Sequence, residues 1–122
     1  CISNEDLFAF SDFLMAGEKD KALLEYRKLL EKKYPLEILS TLQTMLRRWI
    51  VIKAKASELT PFELGKLTGQ HEYVVKLAIQ KLKKTNLKDL VQLKKNLTNA
   101  EFKIKSGQSF NVEEEVENAF MQ

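Results

Sequence analysis

Pro35-Leu36-Glu37-Ile38-Leu39-Ser40-Thr41-Leu42-Gln43-Thr44-Met45-Leu46-Arg47-Arg48-Trp49-Ile50-Val51-Ile52-Lys53-Ala54-Lys55-Ala56 is the stretch whose reading decides the fold. Leu39, Leu42, Leu46 and Trp49 recur at steps of three and four, the signature of one helical face. Ile38, Met45 and Ile52 widen that stripe beyond what a lone surface helix needs, so this helix, over about 35–56, reads as the central one. Pro35 suits its first turn, where the missing N–H costs nothing.

Working outward, the same period continues in both directions. Upstream, Asn4 can cap a first helix with Leu7, Phe8, Ser11 and Leu14 or Met15 inward, ending at Gly17. A second helix, about 18–33, puts Ala22, Leu23, Tyr26, Leu29 and Leu30 on one side. Downstream, Thr60-Pro61-Phe62-Glu63 reads as a helix start, with Thr60 as cap and Glu63 closing a capping box. That short helix ends at Gly69. Another, about 71–84, turns Val75, Ala78, Ile79 and Leu82 inward. Asn86 caps a helix running to about Lys105 through Leu90, Leu93, Leu97, Ala100 and Ile104, and Gly107 stops it. Asn111 then caps a last, acidic helix carrying Val112, Val116, Ala119 and Phe120, its first-turn glutamates well placed for the helix dipole. The expectation is an all-α fold, a single domain of about seven helices over 1–122. With 122 residues, 44% of them hydrophobic, the chain can bury one core without staples.

Composition excludes more than it proposes. Cys1 is the lone cysteine, which rules out an internal disulfide and fits a reducing cytoplasm. No apolar run approaches the ~18 residues of a membrane span, and the first residues have no signal-peptide pattern. The start without Met suggests the C-terminal piece of a longer protein. The glycines are isolated and no phosphate-cradling loop occurs. One His and one Cys cannot build a zinc site, and His71 has no nucleophile beside it; it reads as a helix-start or surface residue. Glu113-Glu114-Glu115 with Glu117 lacks the spacing of a calcium loop and reads as a solvated face. No catalytic centre, cofactor, metal or small-molecule substrate is expected. Charge is unevenly spread: nine lysines between Tyr73 and Lys105 face only Asp89 and Glu101, while 106–122 has four glutamates and no cation. Such lobes suit head-to-tail packing or an acidic partner, with two solvated faces as the plain alternative.

Two readings of the middle remain. Residues 60–82 have the form of a helix-turn-helix, with Gly65 and Gly69 where two short helices must cross closely. As a DNA reader, its second helix would open on Gln70, His71, Glu72 and Tyr73, with Lys76, Lys81, Lys83 and Lys84 near phosphates. Glu72 argues against it, and no arginine stands where guanine could be read.

The other reading rests on resemblance. Phe8-Ala9-Phe10-Ser11-Asp12, then Ala22-Leu23 and Leu29-Leu30, then Leu46-Arg47 with Lys53 six residues on, then Thr60-Pro61-Phe62-Glu63-Leu64 leading into His71-Glu72-Tyr73-Val74-Val75-Lys76, and finally Lys105-Ser106-Gly107, follow one another in an order and spacing that resembles the C-terminal domain of the delta subunit of bacterial DNA polymerase III. The likeness covers nearly the whole chain. Phe13 and Glu72 depart from it, standing where that family often has a small Ala and a Pro. The resemblance implies a helical collar domain that follows two AAA+-like modules and joins the helical domains of the other clamp-loader subunits. It implies no ATP or clamp binding here, with DNA met only in the assembled complex, in the bacterial cytoplasm. The parent holoenzyme is a DNA-directed DNA polymerase; this piece would not be an enzyme.

Candidate contact residues are apolar or amphipathic side chains left over once each helix has buried its main stripe: Phe10, Phe13, Tyr34, Val51, Phe62, Tyr73, Phe102 and Phe110. Arg47, Arg48 and Lys53 could pair with a neighbouring subunit. Ordinary core packing, or a solvated helix face for the three cations, is the competing account of each.

Overall fold

Apolar positions at a 3.6-residue period, ended by caps and by proline, give seven helices among residues 7–122, which a computed structural model of the chain describes. They are α1 (Phe8–Met15), α2 (Lys19–Leu29), α3 (Pro35–Lys55), α4 (Pro61–Thr68), α5 (Glu72–Lys81), α6 (Leu87–Lys105) and α7 (Val112–Met121). No strand occurs among the described residues.

The helix starts follow local chemistry. The Thr60 hydroxyl accepts from the Glu63 N–H at 3.2 Å while the Glu63 carboxylate accepts from the Thr60 N–H at 2.9 Å, so both arms of the capping box are made. Asn86 and Asn111 cap α6 and α7 by accepting from the N–H of Asp89 and Glu114. His71 opens α5, its Nδ1 accepting from the Tyr73 N–H at 3.0 Å. The expected cap at Asn4 lies outside the described residues. Two helices stop earlier than their patterns suggest. α2 gives way at Leu30, because Pro35 pushes Tyr34 into extended backbone and the intervening residues close as turns. α5 stops at Lys81, and its end is held from outside: the Lys53 ammonium donates to the Leu82 carbonyl at 2.9 Å.

α3 packs against α4, α5, α6 and α7, with Ile38, Leu39, Leu42, Leu46, Trp49 and Ile52 all buried. It is the central helix that the sequence suggests. α1 and α2 pair as a hairpin, and both join α7 through three rings. Phe10 and Phe120 meet edge-to-face at 5.2 Å, Tyr26 and Phe120 at 5.1 Å, and Phe10 lies 6.0 Å from Tyr26. The Tyr26 hydroxyl donates to the Glu113 carbonyl at 2.8 Å. Burial, reinforced by Glu113 and Glu117, pushes its pKa far above the usual phenol range. The expected inner face of α1 stands at Leu7, Ser11, Leu14 and Met15, all buried, but Phe10 and not Phe8 completes it: Phe10 is enclosed and Phe8 is more than half exposed.

Gly65 lies in α4 where it passes the α4–α5 turn. A Cβ there would sit 2.5 Å from the Gln70 carbonyl oxygen, which is backbone and has no side chain's freedom to move. Gly65→Ala gains up to about 1 kcal/mol of helix propensity but meets an overpacking penalty of about 1–3 kcal/mol. The expected outcome is a net loss of stability in urea titration, with the helical signal retained.

A polar cluster also joins α3 and α6. Gln43, nearly fully buried, donates to the Thr98 hydroxyl and the Glu101 carboxylate and accepts from the Lys94 ammonium at 2.7 Å. Desolvation lowers the Lys94 pKa, with Glu101 opposing and nearby Arg47 adding to the shift. The hydrogen bond from Lys105, aided by Gln43, holds the Glu101 carboxyl below its ordinary range against the cost of burial. A lowered pKa favours the folded state above the unfolded carboxyl's pKa, and that contribution disappears as pH falls through the folded value. Glu101→Gln should therefore cost about 1 kcal/mol at neutral pH. The gap between variant and parent, followed by chemical denaturation across pH 7 to pH 3, should close below about pH 4.5.

Candidate subunit interface

α4 and α5 stand as two short helices joined by a tight turn in which Gly69 takes the left-handed conformation (φ 74°) and Gln70 donates its N–H to the Gly65 carbonyl at 2.8 Å. On either side of this turn lies a cleft. The first, about 480 Å³, opens between α4 and α5 and is flanked by Phe62 and Tyr73, both more than half exposed. The Lys66 ammonium rests 4.8 Å from the centre of the Phe62 ring. The second, about 510 Å³, is a groove between α1, α3 and α5 with Phe8, Met15, Met45, Trp49, Val74 and Leu77 among its walls. Arg48 lies on it, as does the 2.8 Å ion pair of Lys81 with Asp12. Gln70 and His71 line both clefts. The Gln70 Oε1 is buried and accepts no hydrogen bond. A buried acceptor left open costs about 1–3 kcal/mol.

The residues singled out from sequence are dispersed by this arrangement. Phe62 and Tyr73 stand together at the first cleft, and Arg48 enters the groove. Arg47 is exposed and acts on Lys94 of α6, so the two arginines serve different surfaces. Phe10 leaves the surface set, because its ring fills the α1–α2–α7 junction. Lys53 is engaged with the end of α5. Phe13 is half-buried with the Lys21 ammonium 5.8 Å from its ring centre. Tyr34, Phe102 and Phe110 are exposed and Val51 is half-buried; none of them lines either cleft. Of the four lysines placed near phosphates, Lys76 pairs with Glu72 at 3.1 Å and Lys81 with Asp12, while Lys83 and Lys84 lie in the turn after α5. The start of α5 is thus a poorly charged surface for DNA.

Sequence reasoning left Phe8, Val74 and Leu77 out of the contact set, Phe8 being assigned to the core, and named Gln70 only as the opening of a DNA-reading helix. A signal for two of them was present: Val74 and Leu77 flank the buried Val75 and Ala78 and form a second apolar strip on α5. Among the described residues, no group of three His, Cys, Asp or Glu side chains could hold a metal ion.

The family model for the DNA polymerase III delta subunit, C-terminal domain, matches residues 4–121. The chain belongs to that family. No curated protein sequence matches it. Membership makes this delta C-terminal domain a component of the polymerase's clamp loader, a kind of domain that is not itself catalytic and that associates with the other clamp-loader subunits. No helix of the described delta domain is long and apolar enough to cross a membrane. The charge lobes expected from the sequence meet at one pair, Lys103 of α6 with Glu115 of α7 at 3.9 Å, while Arg27 of α2, outside both lobes, reaches Glu117 at 3.6 Å.

Proposed function

We propose that this domain is the collar piece of a clamp-loader delta subunit, the C-terminal part of a longer cytoplasmic protein, and that it holds the complex together by packing α5 and its two clefts against the helical domain of a neighbouring subunit. It hydrolyses nothing; its contribution to clamp loading is to fix the position of the modules that precede it. The observation that carries the reading is the apolar α5 surface. Tyr73, Val74 and Leu77 are exposed on one short helix, and Phe8 and Phe62 stand exposed beside the clefts. Exposed aromatic and aliphatic side chains around a pocket are the usual anchors of a protein interface.

Family membership supports the partner class, and the exposed apolar residues beside the clefts support the choice of face. Sedimentation velocity on the domain mixed with the helical domains of its clamp-loader partners tests both. Arg48→Glu, on the groove, should weaken association about tenfold, the effect of removing a rim or near-rim charge worth about 1.4 kcal/mol. Arg47→Glu should leave association unchanged. Equal behaviour of the two variants would move the interface away from the groove.

A further inference from the structure

The solvent face of α6 carries cations that no described residue neutralises. Lys88, Lys95 and Phe102 follow one another at seven-residue spacing, which keeps them within about 40° of one direction on a helix. Lys84 precedes them in the turn, and Gln92 and Asn99 fall between. All six are exposed, while Leu90, Leu97 and Ala100 bury the opposite side. Among the described residues, Lys84, Lys88 and Lys95 make no ion pair. The carboxylates of α6 do not offset them: Asp89 lies about a quarter turn from Lys88, and Glu101 is taken up by Gln43 and Lys105. Phe102 is 64% exposed, and no ring or cation among the described residues lies against it. From Lys88 to Phe102 the strip runs about 21 Å at 1.5 Å per residue.

We propose that this strip is a track for a single strand of nucleic acid, with phosphates on Lys84, Lys88 and Lys95 and a base stacked on Phe102. Lysines without arginine give point-charge attraction and no forked reading of base edges, so binding is independent of sequence. The aromatic ring decides for one strand over two, because a ring on a helix face can stack only on a base free of its partner. Gln92 and Asn99 supply amides for sugar and phosphate oxygens between the charges. A length of about 21 Å accommodates about four nucleotides, the low end of sites on single-strand binders. α7, packed beside α6 with its glutamates, keeps the polyanion to the lysine side.

The experiment is fluorescence anisotropy of labelled oligothymidylate titrated with the 122-residue chain at about 50 mM salt, repeated as salt is raised. Three phosphate contacts predict a log–log salt slope of about −2. Lys88→Glu combined with Lys95→Glu should weaken binding at least tenfold and flatten the slope. Phe102→Ala should weaken it about fivefold or more, the low end of a stacking contact, at nearly unchanged slope. All three positions are exposed, and circular dichroism confirms that the variants fold. Absence of binding at low salt, or equal binding by parent and variants, overturns the proposal. So does a duplex held as tightly as the single strand, and so does a polyglutamate peptide bound equally well, which would make the strip an acidic-protein surface.

Discussion

Phe10→Ala is expected to lower the unfolding free energy by about 3–5 kcal/mol, the range for removing a buried phenyl ring. The ring is fully enclosed at the meeting point of three helices, against Tyr26 of α2 and Phe120 of α7. Its loss removes two ring contacts together and leaves a cavity that α1, only two turns long, can close only by shifting the hairpin it forms with α2. Domains of this size have about 5–15 kcal/mol to lose, so the variant stands near the edge of folding. A fall in the melting midpoint of roughly 10–20 °C is the scale to expect in thermal denaturation. A change under about 1 kcal/mol, within the range of surface substitutions, would return Phe10 to the surface and undo the packing described for α1.

The second large effect is on association and leaves the fold intact. Val74→Glu together with Leu77→Glu puts two carboxylates into the groove wall. In the isolated domain both positions meet water, at 43% and 37% exposure, so stability should change by less than about 1 kcal/mol in all. In a complex that covers the groove, each carboxylate would have to be desolvated without a partner, at about 1–3 kcal/mol or more each. Association with the other clamp-loader helical domains, followed by calorimetry, should therefore weaken at least about 30-fold. An unchanged affinity with the fold preserved would show that α5 faces solvent in the assembly, leaving the family membership untouched and the proposed interface wrong.

Much of this architecture is legible in the chain because helix formation and capping are local. The Thr60–Glu63 box, the asparagine caps at 86 and 111, and His71 at the start of α5 each act within three residues of their own position. The width of the apolar stripe on 35–56 marks α3 as central for an equally local reason: a helix apolar round more than one face must be covered on more than one side. The family is legible too, since the ordered motifs are a property of the sequence and the matching family model spans the same residues.

What the sequence alone determined is therefore the seven helices, most of their ends, and the family. Tertiary structure decided which side chains remain for function. Phe8 and Phe10 lie two residues apart on one helix and point to nearly opposite sides. Only Tyr26 and Phe120, brought in by α2 and α7, settle that Phe10 turns inward and Phe8 faces the groove. Arg47 and Arg48 are separated in the same way, one toward α6 and one toward α5. The lone acceptor of Gln70 comes from the turn closing over α4 at Gly65. Periodicity gives each helix an apolar side, but whether a residue at the margin of that side is covered depends on helices far along the chain, whose packing is a non-local outcome of the whole core.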